Sequence, residues 1–194
     1  MYRFALLIFV ASASTYITRD SECPTFSSVE NFNFESYSSG VWYEVARYHD
    51  DVVKDGKCGY VKYKQDGDSK KFKYTYVNNN KQLMSIEGTA KLVDDAGTTG
   101  KIIHSLPYGA NGTVVDGEVN ILAVDYDDFF ICYYCQFDDV KKSYRESAWV
   151  FSRSQPLSKE TESKIIKFVK DSKFLNADKF VWPRFIEEEC RVEA

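Results

Sequence analysis

The sequence predicts an all-β protein: an eight-stranded up-and-down antiparallel β-barrel with one C-terminal α-helix packed outside. Three observations carry this. Eight short apolar segments follow one another between residues 41 and 153, separated by clusters of Gly, Asn, Asp and Ser that favour tight turns. Within several of them apolar and polar residues alternate with a period of two, the mark of a strand with one solvated face. A helical pattern comes only after the strands have ended. Short, evenly spaced strands of this kind suggest a barrel. Eight strands close around an interior that side chains can fill or that holds one small ligand.

The strands are taken in order. They are VWYEVARY (41–48), CGYVKYKQ (58–65), KFKYTYV (71–77), LMSIEGTAKLV (83–93), KIIHSLP (101–107), GEVNILAVD (117–125), FFICYYCQF (129–137) and RESAWVFSR (145–153). The turns between them include QDGDS, NNNK, DDAGTTG, YGANG, DYDD and DDVKKS. In 83–93, Met84, Ile86, Gly88, Ala90 and Leu92 alternate with Ser85, Glu87, Thr89 and Lys91. In 71–77, Phe72, Tyr74 and Tyr76 alternate with Lys71, Lys73 and Thr75. The helix follows in PLSKETESKIIKFVKDSKF. Ser158 is its predicted N-cap, acids occupy its first turn, and Ile165, Ile166, Phe168 and Val169 form its apolar stripe. A short apolar piece at 180–182 is a candidate last strand.

The chain opens MYRFALLIFVASAS. Arg3, the apolar run Phe4 to Val10 and the small residues Ala11-Ser12-Ala13 read as a secretory signal peptide over 1–14, leaving 15–194 as a single domain. The apolar run falls short of the ~20 residues that cross a bilayer, and no later segment qualifies. Stable membrane insertion is therefore not expected. A secreted, extracellular chain meets an oxidising compartment, where disulfides persist. The net charge of −4 and the scattered lysines argue against a nucleic-acid surface. Two histidines, His49 and His104, exclude a multi-histidine metal centre, and no metal is expected. With 16 % aromatic residues the chain fills a large core or lines an aromatic cavity. No G-x-S-x-G elbow, P-loop or dinucleotide fingerprint is present, so no enzyme class is supported. Asn111-Gly112-Thr113 is the single glycosylation sequon and falls in a loop. The cysteines number five, so at least one lacks an internal partner.

Three local motifs stand in a familiar order. Gly40-Val41-Trp42 opens the first strand, Val124-Asp125-Tyr126 sits between the sixth and seventh, and Ser152-Arg153-Ser154 ends the eighth. Together they resemble the G-x-W, T-D-Y and closing Arg motifs of the lipocalins. WYEVARY, GKCGY, IEGTA, GKI-H, YYC and WVFSRS narrow the resemblance to the insect bilin-binding protein and insecticyanin branch, with apolipoprotein D in the wider clade. It spans roughly residues 22 to 192. The resemblance implies that Arg153 packs over Trp42 and closes the barrel base, with Gly40, Asp125 and Tyr126 as structural residues. It implies the disulfides Cys23–Cys135 and Cys58–Cys190. It also implies a calyx that binds biliverdin or a related bilin non-covalently, for pigmentation, transport or storage, in haemolymph or a cuticle-like fluid.

With Cys135 facing outward to its partner, parity turns Phe130, Cys132, Tyr134 and Gln136 inward and leaves Cys132 as an unpaired thiol in the cavity. Applied strand by strand, parity gives the expected ligand-binding set: Phe72, Tyr74, Tyr76, Met84, Ile86, His104, Leu106, Tyr108, Val119, Ile121, Cys132, Tyr134, Gln136, Arg145, Ser147 and Trp149, with Gly88 on the same wall. For 71–77 the opposite register would bury Lys71 and Lys73, which charge burial disfavours. Aromatic faces suit a flat conjugated ligand. The expected cations for its propionates are Arg145, Lys141 and Lys142 on one rim and Lys54 and Lys57 on another, with Arg the better carboxylate clamp. The same calyx would also suit a retinoid, carotenoid, fatty acid or pheromone. A haem carrier would need His104 as axial ligand. A calyx-thiol isomerase would need a base beside Cys132, and none is evident. A filled barrel serving interactions alone, and a homo-oligomer, stay open.

Overall fold

The computed structural model describes residues 17–19, 22–49, 53, 55–94, 97–107 and 112–190. The stretch 1–14, Tyr108, Asn111 and Lys54 lie outside the described residues. The barrel strands are β2 (Val41–Tyr48), β3 (Lys57–Asp66), β4 (Ser69–Val77), β5 (Leu83–Leu92), β6 (Lys101–Leu106), β7 (Val115–Asp125), β8 (Phe129–Asp138) and β9 (Ser143–Ser152). Each pairs antiparallel with the next, and β9 pairs with β2 to close the sheet. Two short strands extend the sheet beyond these eight, and the second falls on the apolar piece 180–182 expected as a last strand. β1 (Ile17–Arg19) pairs with β9 at Tyr144 to Glu146, and β10 (Phe180–Val181) pairs with β2 at Arg47 and Tyr48.

Alternation sorts side chains onto two cores. The inner one holds Trp42, Val61, Phe72, Tyr74, Ile102, Val119, Phe130, Cys132 and Phe151. The outer one lies under helix α2 (Lys159–Asp171), where Ile165 and Val169 meet Ala46, Ile131, Ala148 and Val150. Ser158 caps the helix by accepting from Thr161 N at 3.1 Å. Lys73 and Glu87 face each other across β4 and β5 at 2.9 Å, on the solvent side, so Tyr74 and Ile86 share the inner face. A bulge in β2 between Glu44 and Ala46 breaks the alternation, so Arg47 faces inward with Glu44, which shares the parity of Trp42.

One end of the barrel is closed. The short helix α1 (Phe34–Tyr37) lies across it, capped by Asn33, and the Trp42 indole N–H donates to Tyr37 O at 2.7 Å. Arg153 donates to the carbonyls of Tyr126, Ser39, Val41 and Ser36, and its guanidinium stacks 3.3 Å over the Trp42 ring. Tyr126 ties down the chain before α1, accepting from Asn33 N at 2.7 Å. Asp125 holds the preceding turn by accepting from Asp127 N. Gly40 sits at φ +64 with Arg153 pressed against it, where a side chain would meet the guanidinium. Two disulfides fix the chain ends to the wall. Cys23 bonds to Cys135 on β8, and Cys58 on β3 bonds to Cys190 in the short helix α3 (Glu187–Cys190). Among the described residues no helix is long and apolar enough to cross a membrane, and no group of His, Cys, Asp and Glu is arranged to hold a metal ion.

Candidate ligand-binding cavity

The end opposite α1 opens into a cavity of about 370 Å3 inside the barrel. That lies in the range of roughly 300–1,000 Å3 usual for small-molecule sites. The wall brings together Phe72, Tyr74, Ile86, His104, Leu106, Val119, Cys132, Tyr134, Gln136, Arg145, Ser147 and Trp149 from six strands. Two glycines give the rings room. A side chain at Gly88 would strike Ser105 O at 2.5 Å and the Phe72 ring at 3.0 Å, and one at Gly117 would strike Tyr134 at 2.8 Å.

Three residues of the expected set stand elsewhere. Ile121 faces inward but is fully buried in the closed base, where Val29 and Gly100 bond across it: Val29 N donates to Ile121 O and Ile121 N to Gly100 O, both at 2.8 Å. Tyr76 packs under the loop before β3, against the position of Gly56, and stacks on Tyr74. Met84, opposite Tyr76 at the end of β5, is 40 % exposed to solvent. Alternation assigns a face but no depth, and these three sit below, beside and above the open space. The rim lysines are likewise engaged elsewhere. Lys141 and Lys142 are exposed and face Asp138 and Asp139 at 3.6 Å, and Lys57 pairs with Glu189.

The cavity also takes residues outside the expected set: Tyr37, Val53, Val61, Tyr63, Phe151 and the run Val115 to Gly117. Val61 and Tyr63 were within reach of parity, because the alternative face of that strand carries Lys62 and Lys64. Phe151 continues the series Arg145, Ser147, Trp149. Tyr37 and Val53 come from a one-turn helix and a loop, which leave no periodic signal.

Polar groups are few and placed at separate levels. On the floor the hydroxyls of Tyr37 and Tyr63 meet at 2.9 Å, and burial raises the pKa of both phenols. On the wall the Tyr74 hydroxyl donates to Glu44 Oε2 at 2.7 Å, and Glu44 pairs with Arg47, which also donates to Gly56 O at 3.0 Å. At the mouth, Arg145 Nη2 and the Tyr134 hydroxyl both donate to Gln136 Oε1, at 2.8 and 2.7 Å. Among the described residues Arg145 is the cation that lines the cavity, and Asp116 is the anion, accepting from Ser105 Oγ at 2.6 Å.

Cys132 is buried and free, with Cys135 turned to the outer side of β8. Burial pushes its thiol pKa up, and the carboxylate of Glu44 pushes it further. The thiol is therefore held protonated, the unreactive form. Cys132→Ala is expected to leave ligand affinity within about twofold of wild type, because it removes a small apolar contact. Titration of the two proteins with the same ligand checks this, and a tenfold loss would mean that the sulfur bonds the ligand.

His104 stacks against Phe72 at 4.8 Å, and part of its ring faces the cavity. Its Nε2 is buried without a hydrogen-bond partner among the described residues. Burial lowers its pKa to about 4. The unfolded chain binds this proton near ~6.5. Between these values the unfolded state carries more protons, so stability is complete above the upper value and falls as the pH drops toward the lower, by about 3 kcal/mol in all. His104→Gln is expected to lose less stability than wild type between pH 7 and 4.5, as measured by urea unfolding at both.

Comparison with known proteins agrees with this architecture. Residues 39–181 match the lipocalin / cytosolic fatty-acid binding protein family. Bilin-binding protein of Pieris brassicae is 36 % identical over 192 residues, 99 % of each chain. Insecticyanin-B of Manduca sexta is 30 % identical over 198 residues, covering 98 % of this chain and 94 % of the relative. The solved insecticyanin structure from Manduca sexta superposes with a TM-score of 0.79 at 28 % identity, over 90 % of this chain and 92 % of that one. Lobster apocrustacyanin A1 shares the fold, at a TM-score of 0.63 and 21 % identity over 77 % of this chain and 78 % of that one. The chain is thus a lipocalin, of the insect bilin-binding protein and insecticyanin branch.

Proposed function

We propose that this protein is a secreted carrier that holds a bilin, biliverdin or a close relative, non-covalently in the barrel cavity. The observation that carries the reading is the cavity itself: aromatic and aliphatic walls, few polar groups, and, among the described residues, one lining cation, Arg145. A bilin has the matching chemistry, with conjugated rings, neutral pyrrole and lactam groups, and two propionates. The full-length likeness to a protein named for bilin binding supports it. Two disulfides support an oxidising, extracellular destination. A carrier role rather than an enzymatic one is supported by the buried Cys132, whose thiol burial holds protonated.

The test is the ultraviolet–visible spectrum of the protein purified from its native source. Red and near-ultraviolet bands that co-elute with the protein and leave on acid–organic extraction are expected. Bands that resist extraction would mean a covalent link and implicate Cys132. A lone Soret band would mean haem, and a colourless protein that takes up retinoids or fatty acids would overturn the bilin reading.

Arg145 lines the cavity beside Gln136, whose Oε1 accepts from its Nη2 at 2.8 Å, and a guanidinium there supports a propionate at the mouth. Arg145→Gln is expected to weaken biliverdin by about twofold to fivefold, the range of a partly exposed ion pair. Biliverdin dimethyl ester, which lacks the carboxylates, should bind both proteins alike. Equal losses for acid and ester would assign Arg145 a packing role instead.

A further inference from the structure

We infer that His104 and the Tyr37–Tyr63 hydroxyl pair form a polar recognition site deep in the cavity, which selects a ligand whose inner end carries a neutral hydrogen-bonding group of the lactam or carbonyl type. The inference rests on the proposed bilin cargo and names what reads it.

Tyr63 and Phe72 are register partners on β3 and β4, and the Phe72 ring stands between the Tyr63 ring at 6.1 Å and the His104 ring at 4.8 Å. The two polar sites thus flank one aromatic face, and all four side chains line the same cavity. The phenols bond each other, so one hydroxyl hydrogen of the pair is not used within it. His104 Nε2 has no partner at all among the described residues. A buried nitrogen in that state is costly unless something supplies the bond. A rotation of the imidazole toward the cavity it already lines would present it to a ligand. The imidazole is neutral at physiological pH, and among the described residues no cation but Arg145 lines the cavity. The nearby charged pair, Glu44 and Arg47, is already closed on itself. A carboxylate pushed to the floor would be desolvated without a counter-charge. A neutral NH–C=O group would instead complete the unused valences. Carboxylates are left to the mouth, where Arg145 stands.

The experiment titrates apo protein with biliverdin and, as a probe of the same cavity lacking such an end group, with the apolar dye N-phenyl-1-naphthylamine. His104→Phe is expected to weaken biliverdin about tenfold and shift its red absorption band, with dye affinity kept. Tyr63→Phe is expected to give a smaller loss of the same kind. Dye binding reports that each variant still has its cavity. If wild type binds the dye but not biliverdin, the bilin reading falls and this inference with it. If wild type binds biliverdin and His104→Phe binds it as tightly with an unmoved band, the bilin reading stands and the recognition site is refuted.

Discussion

Arg47→Leu is expected to destabilise the protein by about 3–5 kcal/mol, the cost of leaving one member of a buried ion pair without the other. Arg47 and Glu44 are 1 % and 3 % exposed, and each lies inside the barrel. The side chains are there because β2 bulges between them, which places residues three apart on one face. Without Arg47 the Glu44 carboxylate loses its buried cationic partner while still accepting from the Tyr74 hydroxyl, and it must take up a proton or admit water. Total stability of a domain is ~5–15 kcal/mol, so the loss is a large fraction of it. Glu44→Gln in the same chain removes the stranded charge and keeps an acceptor for Tyr74. The double variant is expected to recover most of the loss, as buried pairs replaced together often do. Urea unfolding of the four proteins gives the coupling energy. A single-variant loss under about 1 kcal/mol would mean that the pair is hydrated and contributes little. The network also touches the cavity. Arg47 holds the carbonyl of Gly56, whose amide bonds Val53 O at 2.8 Å, and Val53 lines the mouth. The Arg47 variant should therefore release ligand faster than wild type, by stopped-flow displacement.

That network shows which parts of this molecule its sequence reveals and which it hides. The strands were legible because period two is a local property: Lys73 beside Tyr74, or Glu87 beside Ile86, fixes a face without reference to anything distant. Face assignment carried the cavity wall from Phe72 to Trp149. It failed where geometry adds a residue or a depth. The bulge in β2 hides Arg47 from strict alternation, which would put it with Val45 on the outside. Met84, Tyr76 and Ile121 keep the expected parity and still miss the cavity, because their height along the barrel depends on strand stagger. The floor was invisible for another reason. The four residues of α1 carry no periodicity, and Tyr37 reaches the cavity only because Trp42, Arg153 and Tyr126 clamp that turn across the base. The His104 nitrogen left without a partner among the described residues is a fact of packing beside Phe72, Ala90 and Gly117, and no string of residue types contains it.

Removing the Cys58–Cys190 disulfide is expected to cost about 2–5 kcal/mol, chiefly by freeing the unfolded chain of a long loop. The bond joins residues 132 apart. It anchors α3, whose four residues cannot hold a helix alone. The pair Lys57–Glu189 lies beside it and is half-exposed, so it cannot substitute for the covalent link. The choice of replacement at residue 58 matters, because the backbone there is left-handed, with φ 58, at a bulge where Lys57 to Tyr60 face Val77 to Thr75. A Cβ in that conformation costs about 1 kcal/mol that glycine avoids. Cys58→Gly with Cys190→Ala should accordingly be more stable than Cys58→Ala with Cys190→Ala, by about that amount. Thermal unfolding separates them, since ~1 kcal/mol moves the midpoint by roughly 2–4 °C in a chain of this size. Were the alanine variant the more stable, the left-handed turn at Cys58 would be a product of the disulfide and would relax once the bond is gone. Equal midpoints for both variants and wild type would mean that the C-terminal segment is held by its own contacts. In that case the work of the disulfide would be kinetic, slowing detachment of residues 180–190 rather than setting the equilibrium.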